Sequence, residues 1–202
     1  MEPFETFIWR RIFIQIGGII AIAAFLGGFV LAYNATWNTV VYLDQQADER
    51  WSRLGGDMVE RYRGIEGLIA NLRPSLGTDV SISDGVAVNL IHWRTALAEG
   101  DIGTVATATT NLEASLSSLT VILQKYPEIR GSQDGQDFLA TLEGTEQRLV
   151  ADQSVYNEAV RRYNRAISSF PGDLWAGNWG FGPRDYFMAA IGSAGPPPLP
   201  AE

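Results

Sequence analysis

The sequence predicts an all-α protein. An N-terminal transmembrane helix continues into an antiparallel helical bundle, and an irregular segment rich in Gly, Pro and aromatic residues closes the chain. Three observations carry this. Ile12 to Tyr33 is 22 residues without a charge. Downstream, apolar residues recur at a seven-residue beat that fits packed helices. No stretch alternates with period two for long, and turn signals are too sparse for a β fold.

The apolar run, with Gln15 as its one polar side chain, is long enough at about 1.5 Å per residue to cross the roughly 30 Å hydrocarbon layer. Arg10 and Arg11 precede it, and the first charges beyond it are Asp44 and Asp48. By the positive-inside rule the N-terminus is cytoplasmic and the rest lies outside. A cleaved signal peptide, with Val30 and Ala32 before the cut, is the alternative; the run exceeds the roughly 7–15-residue core of such signals. Gly17, Ala21, Ala24, Gly28 and Ala32 recur every three or four residues and place small side chains on one face, where a second helix can approach. Their abundance in membrane helices generally is the plainer explanation.

From the membrane exit, Trp37, Asp44, Trp51, Met58, Ile65 and Leu72 fall seven apart, with Val40, Ala47, Leu54, Arg61 and Leu68 as the companion set. The membrane helix is therefore expected to run on, weakened by Gly55, Gly56, Gly64 and Gly67, until Arg73-Pro74 ends it. A polar loop from Gly77 leads to Ser83-Asp84, read as the cap of a short helix over 85–97. Asp101 caps the next, whose seam runs from Ile102 through Leu112 and Leu123 to Tyr126 before Pro127. After the Gly131–Gly135 turn the last helix carries Phe138, Leu142, Thr145, Leu149, Asp152, Tyr156, Ala159, Tyr163, Ala166 and Phe170 on its seam, and Pro171-Gly172 ends it. The resulting division is 1–11 cytoplasmic, 12–33 transmembrane, 34–172 bundle, 173–191 an aromatic capping segment, and 192–202 a Pro-rich tail. Polar residues on the seams (Asp44, Arg61, Thr145, Asp152) are expected at bundle ends or reaching to water. The sharper possibility is a buried pair, such as Arg61 with Asp152.

Composition narrows the chemistry. With 15 Lys+Arg against 23 Asp+Glu the net charge is −8, and no basic stripe exists to bind nucleic acid. There is no cysteine and a single histidine, His92, which excludes thiol chemistry and nearly excludes His-based metal sites and triads. His92 is preceded by Asn89 where a bundle di-metal motif needs Glu. Glu143 and Glu146 read as a solvated face. Neither a catalytic residue nor a metal or cofactor is expected, and the protein is read as no enzyme.

The last third of the chain carries a motif. Tyr126-Pro127-Glu128 is followed by Phe138, Leu142 and Glu143, then Thr145-Glu146-Gln147-Arg148-Leu149, Tyr156-Asn157, Tyr163-Asn164 and Phe170-Pro171-Gly172. Ala176-Gly177, Gly180-Phe181, Pro183-Arg184 and Tyr186-Phe187 come next. Tyr-Asn, five residues, Tyr-Asn, five residues, Phe-Pro-Gly is a specific spacing, and this pattern resembles the LemA family over roughly residues 12–189. Tyr33-Asn34 and Trp51-Ser52 resemble the family's first bundle helix. Leu68-Ile69-Ala70-Asn71-Leu72 departs from it by lacking a proline, and Thr145-Glu146-Gln147 departs by its Gln. The resemblance implies a membrane helix and a helical bundle outside the bilayer, and no defined reaction.

Tyr156, Asn157, Tyr163 and Asn164 share one face. Their amides either line a ligand groove or, the preferred reading, hydrogen-bond to neighbouring helices and loop backbone. Trp51, Phe170, Pro171, Phe181, Pro183 and Phe187 are candidate bundle or interface residues, and Pro196, Pro197 and Pro198 candidate tail contacts. Trp175, Trp179, Phe181, Tyr186 and Phe187 crowd together and are expected to cap the bundle; a protein or membrane interface is the other possibility. The expected function is a non-catalytic accessory or scaffold subunit that touches the lipid bilayer and docks on other membrane-protein subunits. The alternative is a ligand-binding or sensing module of the bacterial envelope, with a groove on the Tyr-Asn helix. Removing residues 190–202 is expected to spare the fold and weaken assembly.

Overall fold

The computed structural model describes residues 3–75 and 80–192 and is helical almost throughout. Six α-helices follow in order: α1 Pro3–Tyr62, α2 Ile65–Leu72, α3 Val80–Glu99, α4 Ile102–Leu123, α5 Pro127–Arg130 and α6 Gln133–Ser168, with 3-10 turns at Arg73–Ser75 and Gly172–Leu174. Two compact units are built from this chain: Met1–Tyr42 with Ala166–Gly182, and Leu43–Arg165 with Pro183–Glu202.

The seven-residue pattern picks the buried side of α1, where Val40, Ala47, Leu54 and Met58 are almost fully buried, and Ile65 at the start of α2 is buried too. The helix does not run on to Arg73, however. It stops at Tyr62, and Gly64 at φ 81° caps α2. Only glycine takes that left-handed conformation without strain, so of the four glycines in this stretch it is Gly64 that breaks the rod. The next helix starts earlier than its expected cap. Ser83 is buried inside α3, its hydroxyl donating to the Val80 carbonyl at 2.7 Å, and Asp84 pairs with Arg73. Asp101 caps α4 as expected, accepting from the Thr104 amide at 2.7 Å.

Cross-helix contacts give the topology of the larger unit. Trp51 meets Tyr156, Arg53 meets Asp152 and Arg61 meets Thr145, so α1 and α6 are antiparallel. Thr109 meets Met58 and Glu113 meets Arg61, so α4 runs parallel to α1. The core between them holds Leu54, Met58, Leu90, Leu112, Leu116, Leu149 and Val160, and also Phe187, Ala189 and Ile191 from the C-terminal segment. Apart from Ala189, each such side chain contributes about 1.5–3 kcal/mol by leaving water.

In the smaller unit, α1 is the one helix among the described residues long and apolar enough to cross a membrane. Its most apolar stretch is wholly unburied.

Candidate functional site

The C-terminal segment after Pro183 is extended and lies along α6, strapped down by the polar residues of the Tyr-Asn repeats. The Asn164 amide donates to the Arg184 carbonyl at 2.9 Å and its oxygen accepts the Arg184 N–H at 2.8 Å. Asn157 does the same to Phe187, at 2.9 and 2.8 Å. Each side-chain amide thus satisfies both backbone groups of one residue, as a neighbouring β-strand would. The spacing is physical: seven helical residues rise about 10.5 Å, and three extended residues span about 10 Å. One heptad on α6 therefore keeps step with three residues of the strap.

Gln153 continues the series, its amide donating to the carbonyls of Phe187 and Ala189 at 3.1 and 2.9 Å, and the Tyr156 hydroxyl donates to the Asp185 carbonyl at 3.0 Å. Burial pushes the Tyr156 hydroxyl up to about 12. The strap's far end is tied to α4, where the Ala190 amide donates to Thr110 Oγ1 and the Gly192 amide to Glu113 Oε2. Ile191 is 1% exposed, so residues 190–192 belong to the bundle, and a cut that spares the fold starts at 193. The preferred expectation for the Tyr-Asn face, bonds to loop backbone, matches these contacts, and the alternative ligand groove there is filled by the chain's own backbone.

Aromatic and charged residues lock the same strap. Trp51 packs on Tyr156 and Phe187 at ring distances of 5.3 and 5.6 Å. The Arg184 guanidinium lies 5.5 Å from the Tyr163 ring centre and pairs with Asp44 and Asp48, both at 2.7 Å. Asp44, on the apolar seam, is there to meet this arginine. Trp51, Tyr156, Asn157, Tyr163, Asn164 and Phe187 therefore converge on one surface, with Pro183 exposed at its start.

A second polar group lies deeper. Arg61 is buried, neither at a bundle end nor reaching to water, and its partner is Glu113 rather than Asp152. Its Nε and Nη2 donate to the two Glu113 carboxylate oxygens at 2.7 and 2.9 Å, and its Nη1 donates to the Leu142 carbonyl and Thr145 Oγ1. The Tyr62 hydroxyl donates to Glu113 at 2.7 Å, and burial holds that hydroxyl well above its usual titration range. The parallel register of α1 and α4 sets this partner, whereas Asp152 lies two turns away beside Arg53. A cavity of about 520 Å³ opens beside the pair, lined among others by Arg130, Glu143, Glu146 and Gly192.

Asp152 has a further neighbour. Asp57 lies beside it, and that contact, burial and the adjacent negative charge raise the Asp57 carboxyl above its ordinary value, against Arg148 and Arg53. The Oδ2 atoms of both carboxyls are buried without a hydrogen-bond partner.

In the smaller unit, Phe170, Pro171 and Phe181 frame a turn. The Phe170-Pro171 bond is cis and Phe170 is 80% exposed. Gly172 is required there, because a Cβ would collide with the Ala166 carbonyl. Trp175, Trp179 and Phe181 meet Phe29, Tyr33 and Trp37 of α1 edge-on or tilted. Tyr186 and Phe187 belong instead to the strap. Gly17, Ala21, Ala24, Gly28 and Ala32 are exposed, and among the described residues no neighbouring segment comes within 4 Å of a Cβ built on Gly17 or Gly28. Pro196, Pro197 and Pro198 lie outside the described residues.

Sequence reasoning missed Gln153, Glu113, Asp57 and Tyr62. Gln153 was within reach: it stands one turn before Asn157, and an amide there extends the same polar face. Glu113 carries a signal too, as the lone charge between Asp101 and Lys125.

No curated protein matches the chain. The family model described as LemA matches residues 57–198, which take in the Arg61–Glu113 pair, the Tyr-Asn repeats and the strap. With well over half its length matched, the chain belongs to the LemA family.

Proposed function

We propose that this protein is a non-catalytic, membrane-anchored accessory subunit that docks on and stabilises a larger membrane-protein complex. The observation that carries the reading is the division of labour among its side chains. The motif residues Gln153, Tyr156, Asn157 and Asn164 are spent on the chain's own backbone, while the outward apolar surface is the bare span of α1 with its small-residue stripe. A lipid-facing helix with small residues on one side suits close approach by another helix. Arg10 and Arg11 before the span, and Asp44 and Asp48 after it, support a bacterial inner-membrane location with the N-terminus cytoplasmic and the bundle periplasmic.

The test is gentle detergent extraction of the tagged full chain from its native membrane, followed by identification of the proteins that co-migrate. A stoichiometric set of membrane proteins, lost when Gly17 and Gly28 are both changed to Leu, supports the reading. A solitary monomer, or turnover of a substrate by the pure chain, overturns it. Deleting residues 193–202 should leave the thermal unfolding midpoint unchanged and weaken co-migration. A sensing role has one feature in its favour, the cavity beside Arg61 and Glu113; a small molecule co-purifying there in place of proteins would select it.

A further inference from the structure

We infer that the turn over residues 170–182 is a second membrane-contacting element, an aromatic collar seated in the headgroup layer where α1 leaves the bilayer. The inference rests on α1 spanning the membrane and goes beyond docking on other subunits.

The geometry is a ladder. Trp175 contacts Phe29 and Tyr33 at ring distances of 5.7 and 5.2 Å. Trp179 contacts Tyr33 and Trp37 at 5.1 and 5.0 Å, and Phe181 contacts Trp37 at 5.7 Å. The α1 residues stand four apart, on one helix face. They straddle the Tyr33 end of the apolar run: the ladder starts one turn inside it at Phe29 and reaches about 6 Å beyond it at Trp37, the depth scale of the headgroup region.

The chemistry matches that layer. Trp and Tyr favour the membrane interface because a flat apolar ring and one polar atom suit its two-sided environment. Here the Trp179 indole N–H donates to the Tyr33 hydroxyl at 2.8 Å, so the two polar atoms meet each other. Asp173 is the one charged residue in 166–182, and α1 carries none between Tyr33 and Leu43. Phe170 is 80% and Leu174 54% exposed, two large apolar side chains on an open surface. Both lie on the turn that the ladder attaches to the membrane helix. Continuity with the lipid-exposed span makes the bilayer, rather than water, the medium these side chains meet.

The chain has no cysteine, so single cysteines can be introduced one at a time. Spin-labelled Phe25→Cys, Phe170→Cys, Leu174→Cys and Gln147→Cys variants of the full chain would be placed in vesicles of phosphatidylethanolamine and phosphatidylglycerol. Accessibility to oxygen and to a water-soluble nickel chelate would then be compared. The expected result is a several-fold higher oxygen-to-nickel ratio at 170 and 174 than at Gln147→Cys, below that at Phe25→Cys. If 170 and 174 match Gln147→Cys while Phe25→Cys reports lipid, the collar is overturned and the span stands. An aqueous signal at Phe25→Cys overturns both. Labels at 170 and 174 shielded from both reagents mean that protein covers the turn, and that also overturns the collar.

Discussion

The strap on α6 and the aromatic turn on α1 are two answers to one problem, how to fasten an irregular segment to a helix. The strap is held by side-chain amides that satisfy buried backbone groups one residue at a time. The turn meets α1 through ring edges, with the Trp179 indole hydrogen bond to Tyr33 among them. The difference follows the surroundings. Inside a packed bundle an unpaired N–H or C=O is costly, so polar residues must find it. At a surface that is half apolar, broad rings give area and tolerate imprecise depth.

The sharpest way to break the contrast is at the strap's far end. Glu113→Ala removes the partner of buried Arg61 and the acceptor of the Gly192 amide, and should cost about 3–5 kcal/mol by denaturant unfolding in detergent. Arg61→Met combined with Glu113→Leu should recover most of that, since the pair costs desolvation as well as gaining attraction. Next, Asn157→Ala orphans the Phe187 N–H and leaves its carbonyl to Gln153 alone, and should cost about 1–3 kcal/mol. Asn164→Ala, at a half-buried position, should cost less, as the Tm of the two variants will tell. Trp179→Ala in the turn should cost about 1 kcal/mol, the scale of an aromatic pair. A loss there as large as that of Asn157→Ala would erase the distinction.

The smallest effect has the opposite sign. Because the Asp57 carboxyl is raised in the fold, the native state holds more protons than the unfolded chain between the ordinary carboxylate value and the raised one. Stability from this group is therefore present at low pH and lost as pH rises through that window. Asp57→Asn puts a donor beside Asp152 without the charge. It should raise stability at neutral pH by about 0.5–1.5 kcal/mol, one net hydrogen bond, and flatten the pH dependence of Tm between acid and neutral conditions.

Much of this was legible in the sequence because burial is periodic. Val40, Ala47, Leu54, Met58 and Leu149 declared the helix faces, and the Tyr-Asn spacing declared a special face on α6. What stayed hidden depended on register between helices. Arg61 was visibly on the seam, but its partner is set by how α4 slides along α1, which no single helix records. The strap was hidden for a similar reason: Gly, Pro and aromatic residues read as a cap and a tail, and the backbone bonds that hold Arg184 and Phe187 leave no mark at their own positions. The Gly64 break was masked by three neighbouring glycines in unbroken helix.

The matched rises of helix and strap act as a vernier. Deleting one residue between Arg184 and Phe187 would turn the Phe187 ring to the opposite side of the extended chain and leave Asn157 facing the wrong backbone group. Single-residue indels between these clamps should therefore be the changes that proteins built this way tolerate least.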